Sequence, residues 1–282
     1  MLLRFTKMHG LGNDFVLLDL ISQDLTIRKD HIRTLADRRL GVGFDQLLIV
    51  EPPTIPEADF KYTIFNADGT EAEQCGNGAR CFLRFVRDRG LTTKTTIVLE
   101  TNTGVISCHL EKDGNITIDM GAPILQPACI PFIADSSRIL YPISVHAPLC
   151  TAAEELSISV ISMGNPHAVI LVDDIDTAPV AKLGPLIENH EKFPARVNVG
   201  FMQVVSRTHL RLRVFERGVG ETLACGTGAC AAMVAGRLQG LLDENVTVTQ
   251  PGGDLEISWH GDKTTVKMTG PACRVYEGRL HL

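Results

Sequence analysis

Two cysteines stand in the same local sequence at two separate places in the chain. Each opens a Cys-Gly-x-Gly-Ala segment, residues 75–79 and residues 225–229. Cysteine can serve as a general acid or base, because its thiol loses a proton close to neutral pH once its surroundings favour the thiolate. Two thiols acting together could invert a carbon stereocentre, with one removing a proton while the other delivers a proton to the opposite face.

Each cysteine segment precedes a predicted helix. Apolar periodicity predicts these helices at residues 78–89 and 228–239, and the second is apolar nearly all round. The N-terminus of a helix presents unsatisfied N–H groups and a partial positive charge, which lower the pKa of a cysteine and attract a carboxylate. One Cys-Gly dipeptide before a helix is usually structural, but two in equivalent positions favour a functional role.

The chain contains an internal repeat. Residues 65–79 align without gaps on residues 215–229, and the predicted elements follow the same order in both halves. Alternating apolar residues predict strands in the first half at 15–20, 46–50, 62–65, 96–101, 105–110 and 116–120, with a helix at 31–38. In the second half they predict strands at 156–162, 168–172, 200–205, 210–215, 246–249, 255–259 and 264–268, with a helix at 180–188.

This repeat predicts an α+β fold of two pseudo-symmetric domains that arose by internal duplication. We place the N-terminal domain at residues 1–120 with 272–282, and the C-terminal domain at residues 121–271. The proline-rich stretch 121–148 is interpreted as a connection. Because a pseudo-twofold relation brings like groups together, we expect the two cysteines to face each other across a cleft that holds the active site.

Composition excludes several other classes of protein. A net charge of -6 provides no basic surface for nucleic acid, and the apolar runs are too short to span a bilayer. The N-terminus does not resemble a signal peptide, so we expect a cytoplasmic protein. The eight cysteines include no Cys-x-x-Cys pair of the zinc-site type, and we expect most of them to be buried apolar residues and no bound metal.

Two further residues could hold the thiols in opposite protonation states. His167 is a titratable group near neutrality, although a single histidine is weak evidence. Glu216 occupies the position at which the first repeat has Asn66. This difference places a charged residue in the second repeat where the first repeat has an uncharged one. A pair of coupled thiols that share one site would titrate as a unit.

At the level of these motifs the chain resembles the diaminopimelate epimerases, and the resemblance covers essentially its whole length. The segments that carry it are residues 8–15, 43–46, 66–70 with 74–81, 163–167, and 216–222 with 224–228. The resemblance implies interconversion of LL- and meso-diaminopimelate, in lysine and peptidoglycan precursor synthesis, without pyridoxal phosphate or metal. It also implies a fold in which each domain is a curved, mostly antiparallel sheet around a central helix, with the C-terminal strand returning to the first domain.

The same resemblance implies roles for individual residues. Cys75 and Cys225 would form the acid/base pair, His167 and Glu216 would tune the thiols, and Tyr276 would lie at a homodimer interface. Substrate contacts would come from Asn13, Gln46, Asn66, Gly76, Asn77, Asn165, Asn198, Glu216, Arg217, Gly226 and Thr227. Arg217 suits the distant carboxylate of diaminopimelate, because its guanidinium can form two parallel hydrogen bonds.

Other interpretations stay open at this level. A proline or hydroxyproline racemase would share the two-thiol mechanism, although a substrate with one carboxylate has no use for Arg217 and the asparagines. A non-enzymatic relative, or an isomerase that uses a carboxylate, would be expected to lack one or both cysteines. A zinc-binding protein is a third possibility. Asparagines in turns are often local capping residues, so each asparagine also has a purely structural interpretation.

Overall fold

The computed structural model describes residues 2–72, 75–146 and 154–281. Gln74 of the first cysteine motif, Cys150 and the last residues of the predicted connection lie outside these ranges. The chain divides into two compact units. Unit 1 comprises Met1–Asp119 with Thr269–Leu282, and unit 2 comprises Met120–Met268. Within the described ranges, no helix is both long and apolar enough to cross a membrane.

The secondary structure is a mixture of strands and short helices. The helices are α1 Lys29–Ala36, α2 Gly76–Asp88, α3 Val180–Glu188 and α4 Gly226–Leu238. A 3-10 turn covers Pro127–Cys129. The strands are β1 Leu2–Gly10, β2 Asn13–Asp19, β3 Gln46–Glu51, β4 Phe60–Asn66, β5 Glu71–Ala72, β6 Thr96–Thr101, β7 Gly104–Leu110, β8 Ile116–Asp119, β9 Tyr141–Val145, β10 Glu154–Ser162, β11 Pro166–Leu171, β12 Asn198–Ser206, β13 His209–Glu216, β14 Gly220–Thr222, β15 Asn245–Gln250, β16 Gly253–Ser258, β17 Lys267–Gly270 and β18 Cys273–His281.

In unit 1 the strands pack around α2. Strands β2 and β3 are parallel, β3 and β4 are antiparallel, and β4 pairs with β5 and runs parallel to β6. Strands β6, β7 and β8 continue as antiparallel neighbours, while β1 pairs antiparallel with both β2 and β18. Helix α2 buries an apolar stripe against these strands, formed by Ala79, Phe82, Phe85 and Val86. Burial of this apolar stripe is what holds the helix in place.

Unit 2 repeats the same order of pairings. Strands β11 and β12 are parallel, β12 and β13 are antiparallel, and β13 pairs with β14 and runs parallel to β15. Helix α4 is buried on nearly every side, and it packs against β10 to β13, β15 and β16. Its small residues allow this, since a Cβ on Gly236 would lie 2.4 Å from a methyl carbon of Leu242. The α+β prediction is confirmed.

The structure corrects several sequence predictions. Residues 121–148 are more than a connection, because β9 lies within them and pairs with β10 in unit 2. Its buried residues alternate (Tyr141, Ile143, Val145), and Pro142 obscured the pattern while occupying an outward position. Helix α1 lies two residues before the predicted 31–38, and it ends at Ala36 because Asp37 adopts an extended conformation. Among the other described cysteines, Cys81, Cys108 and Cys230 are buried, as expected of most of them, whereas Cys129 and Cys273 are exposed.

Candidate active site

Cys75 lies at the N-cap of α2. Its backbone is extended, with φ -146° and ψ 106°, and its sulfur accepts a hydrogen bond from the Gly78 amide over 3.4 Å. Because the cysteine side chain itself caps the helix, α2 begins at Gly76, two residues before the predicted start. Tyr62 donates its hydroxyl to the Cys75 carbonyl over 3.3 Å. A Cβ on Gly78 would lie 2.2 Å from that hydroxyl oxygen, so this position requires glycine.

Two asparagines meet at the Cys75 sulfur. The thiol donates to Asn13 Oδ1 over 3.6 Å, and the same oxygen accepts from Asn77 Nδ2 over 3.4 Å. Asn77 is buried, and its own Oδ1 accepts from Arg80 over 2.9 Å. The remaining amides predicted in unit 1 form a second pair, since Gln46 Nε2 donates to Asn66 Oδ1 over 3.1 Å. The structure thus joins Asn13 and Asn77 to Cys75.

Cys225 occupies the corresponding place at the N-cap of α4. Its backbone is also extended, with φ -123° and ψ 109°, and its amide donates to Gln250 Oε1 over 2.8 Å. Gly226 is the first residue of the helix, and the Cys225 sulfur lies 3.6 Å from Thr227 Oγ1. Burial, and after it the negative charge of Glu216, raise the pKa of the Cys225 thiol. Both effects favour the neutral thiol over the thiolate.

His167 connects to this thiol through Thr227. Its Nε2 lies 3.0 Å from Thr227 Oγ1 and 3.0 Å from Asn165 Oδ1. Because a carbonyl oxygen only accepts, this geometry places the proton of a neutral ring on Nε2. Burial, with a smaller contribution from the positive charge of Arg217, lowers the pKa of His167 to about 3. His167 is therefore uncharged near neutral pH and acts on its neighbours as a hydrogen-bonding group.

The loop that carries Arg217 is held by its main chain. The Arg217 amide donates to Asn198 Oδ1 over 2.9 Å, and Asn198 Nδ2 donates to the Pro166 carbonyl over 2.9 Å. The exposed guanidinium of Arg217 donates to the Ala195 carbonyl over 3.0 Å. Glu216 accepts from the Thr222 hydroxyl over 2.5 Å. Asn198 thus connects the loop to the strand that carries His167.

Tyr276 lies away from these contacts, on β18. The residue is 44% exposed, and its ring meets the Phe5 ring edge-on, with centroids 5.9 Å apart.

Sequence reasoning missed three residues that support these contacts. Arg80 is fully buried on α2, although arginine side chains usually lie at the surface. Its position three residues after Asn77 was the available signal, because residues so spaced share a helix face. Asp45 lies in the segment 43–46 that carries the family resemblance, but its contact with Asn13 spans 32 residues and could not be inferred from spacing. Gln250 had no local signal, because it lies 25 residues from the Cys225 amide that it binds. Within the described ranges, no three His, Cys, Asp or Glu side chains cluster as metal ligands would.

The burial of His167 predicts a pH-dependent stability. Its pKa is about 3 in the folded chain and about 6.5 in an unfolded chain, so unfolding takes up a proton between these values. The stability that neutral His167 provides is therefore complete above about pH 6.5 and falls as pH drops towards 3, by up to about 1.4 kcal/mol per pH unit. We expect His167→Gln to remove this slope in denaturant titrations run at a series of pH values.

His146 is exposed and supplies the matched control. His146→Gln should leave the dependence of the unfolding free energy on pH parallel to that of the parent protein. A His167→Gln curve that is also parallel to the parent curve would contradict a neutral, buried His167.

The family model and the most similar relatives by sequence point to one family. The family model described as diaminopimelate epimerase matches residues 5–126 and 159–275. A diaminopimelate epimerase from Ectopseudomonas mendocina is 57% identical over 282 residues, and one from Thioalkalivibrio sulfidiphilus is 58% identical over 284 residues. Both alignments cover 100% of this chain and 100% of the relative.

Solved structures of lower identity share the fold. A hydroxyproline epimerase from Agrobacterium vitis has a TM-score of 0.67 at 15% identity, covering 99% of this chain and 92% of that one. A phenazine biosynthesis protein of the PhzF family from Bacillus anthracis has a TM-score of 0.65 at 17% identity, with 100% of both chains covered. At such identities the likeness shows the fold alone. The full-length relatives and the family model decide the assignment, and the chain belongs to the diaminopimelate epimerase family.

Proposed function

We propose that this protein converts LL-2,6-diaminopimelate to meso-diaminopimelate without a cofactor, in lysine and peptidoglycan precursor synthesis. One observation carries the proposal: in a member of this family, two cysteines cap two helices that both open with glycine. In this proposal Cys75 and Cys225 are the acid/base pair. One thiolate removes the α-proton of the substrate, and the other thiol delivers a proton to the opposite face of the same carbon.

The reaction requires help beyond the two sulfurs, because an amino-acid α-proton is far less acidic than a thiol. We propose that the N-terminal amides of α2 and α4, including those of Gly76 and Gly226, bind the α-carboxylate of the reacting end. Such preorganised donors stabilise the negative charge that develops as the proton leaves. The absence of a Cβ on these glycines allows a ligand to come close to the backbone.

We propose that amide and guanidinium groups bind the rest of the substrate. Arg217 would bind the distant carboxylate, for which its planar fork is suited. The uncharged amides would bind ammonium and carboxylate groups without adding net charge. The full set of proposed contacts is Asn13, Gln46, Asn66, Gly76, Asn77, Asn165, Asn198, Glu216, Arg217, Gly226 and Thr227.

We propose that Glu216 and His167 hold the two thiols in different protonation states. Glu216 supports this because its negative charge, after burial, raises the pKa of Cys225 and so favours the thiol. His167 would act through Thr227, whose hydroxyl lies between the imidazole and the Cys225 sulfur. Since His167 is neutral, its contribution would be to orient that hydroxyl.

We further propose that units 1 and 2 correspond to the duplicated domains, and that the protein is a cytoplasmic homodimer with Tyr276 at the interface. The exposure of this large aromatic ring supports an interface, since Tyr is enriched in such surfaces. Sedimentation equilibrium tests the proposal. A monomer at micromolar concentration would contradict it.

Deuterium incorporation tests the proposed reaction. The protein is incubated with LL-diaminopimelate in deuterated water, and the α-positions and stereoisomers are followed by NMR and chiral chromatography. We expect solvent deuterium to enter the α-position as meso-diaminopimelate appears. The fold likeness to a hydroxyproline epimerase makes that reaction the second candidate, so L-proline and trans-4-hydroxy-L-proline are run in parallel. Exchange into these substrates but not into diaminopimelate would refute the proposal.

A further inference from the structure

The amide of Asn13 has a defined orientation at the Cys75 sulfur. Its Oδ1 accepts from the Cys75 thiol over 3.6 Å and from Asn77 Nδ2 over 3.4 Å. Its Nδ2 points the other way and donates to Asp45 Oδ2 over 3.0 Å. The two ends of an amide are nearly equal in size, so hydrogen-bond partners alone decide which end faces the sulfur.

Asp45 imposes this choice because a carboxylate only accepts hydrogen bonds. Turning the Asn13 amide over would place its carbonyl oxygen against the negative charge of Asp45. The contact to Asp45 is also shorter than that to Asn77, and it is charge-assisted, which makes it the stronger of the two. Asp45 therefore keeps the accepting end of Asn13 directed at Cys75.

Asp45 is itself held in place on both of its oxygens. Its Oδ2 also accepts from the Asp14 amide over 3.1 Å, and its Oδ1 accepts from Arg38 over 2.7 Å. Arg38 in turn binds both carboxylate oxygens of Asp14, and Lys7 binds one of them over 2.6 Å. Burial alone raises the pKa of Asp14, but hydrogen bonds from Arg38 and Lys7 hold it well below its usual range. The charges that fix Asp45 therefore persist through neutral pH.

We infer that Asp45 is a positioning residue, which acts on Cys75 through Asn13 by keeping a hydrogen-bond acceptor against the sulfur. An acceptor stabilises the protonated thiol, whereas the amino end of a reversed amide would stabilise the thiolate. The inference concerns the state of Cys75 in the protein as it stands. Only its consequence for turnover rests on the proposed function.

The other ionisable groups near this contact do not fix the orientation of the Asn13 amide. Tyr62 and Cys81 lie on the helix side of Cys75, and burial raises the pKa of both. Arg80 donates a hydrogen bond to Asn77 Oδ1. His9 lies on the hairpin that precedes Asn13, where its Nδ1 accepts from the Gly12 amide over 3.4 Å. Asp45 alone among these groups is a described partner of Asn13 Nδ2.

Alkylation of Cys75 with iodoacetamide at a series of pH values tests the inference, with the modified peptide quantified by mass spectrometry. Asp45→Ala should move the midpoint of the alkylation profile to lower pH by about 0.5 to 1 unit, the effect of exchanging one hydrogen bond. Asp45→Asn keeps one accepting oxygen and should give a smaller shift in the same direction. With diaminopimelate, kcat/KM of Asp45→Ala should fall about tenfold through lost positioning.

Asp59 supplies the matched control, because its carboxylate accepts hydrogen bonds from Lys94 and from the Val98 amide rather than from Asn13. Asp59→Ala should leave the Cys75 profile unchanged. Superimposable profiles for Asp45→Ala and the parent protein, or an equal shift in Asp59→Ala, would overturn the inference. If circular dichroism shows that Asp45→Ala does not fold, the alkylation profile of Asp45→Asn tests the inference instead. A midpoint equal to that of the parent protein would then overturn the inference. A parent protein without epimerase activity refutes the proposed function and leaves the alkylation result standing.

Discussion

Replacing either Cys75 or Cys225 with alanine should abolish the conversion of LL- to meso-diaminopimelate. Inversion requires one group to take a proton and another to deliver one on the opposite face, so removal of either thiol leaves one face without a proton-transfer group. We expect each single variant to lose at least about a thousandfold in kcat, the size of effect typical of a general acid or base. Chiral chromatography of the product measures the inversion directly.

The fold should tolerate both substitutions, which makes the experiment decisive. Cys129 is exposed and outside both cysteine motifs, so Cys129→Ala is the matched control and should retain full activity. Circular dichroism of each variant should match that of the parent protein. Undiminished inversion by either Cys75→Ala or Cys225→Ala would eliminate the two-thiol mechanism.

The second large effect concerns the distant end of the substrate. Arg217→Met should lower kcat/KM for diaminopimelate by about a thousandfold, because two charge-assisted hydrogen bonds to a carboxylate are lost. Arg217→Lys should retain part of the activity, since an ammonium group keeps the charge but not the planar fork. Steady-state kinetics with purified variants provides the measurement.

Arg217→Met should leave the fold intact, because the Arg217 side chain is exposed and the loop is held by the main-chain hydrogen bond to Asn198. Arg207 is an exposed arginine in unit 2 that is paired with Asp243, and Arg207→Met is therefore the control. Its kinetics should equal those of the parent protein. Retained diaminopimelate turnover in Arg217→Met would argue against the role of Arg217 in binding this substrate.

The helices and strands that position the cysteines followed closely from local pattern. Helices α2 and α4 were predicted within two residues at their starts, because their apolar periodicity and the glycines before them are local features. The errors have equally local causes. Pro142 interrupted the alternation of β9, and both helices begin two residues before their predicted starts, directly after the cysteines at their N-cap positions.

The groups that surround each sulfur come from residues far away in the sequence, so local sequence patterns could not predict them. Asn13 reaches Cys75 from 62 residues away, through the pairing of β1, β2 and β18 around α2. Thr227 meets His167 across 60 residues, and Gln250 reaches the Cys225 amide across 25 residues. Strand register and helix packing bring these groups together, so their partners and their burial could not be derived from spacing.

Local sequence was enough to predict that Cys75 and Cys225 precede helices in equivalent repeats, and hence which chemistry the chain supports. It could do so because helix caps and amphipathic periods are set by residues adjacent in the chain. The folded chain was needed to show that Cys75 faces the amide oxygen of Asn13, whose Nδ2 is bound by Asp45, while Cys225 is buried beside a hydroxyl and near a carboxylate. Protonation depends on desolvation and on hydrogen bonds between distant residues, and both exist only once the chain has folded.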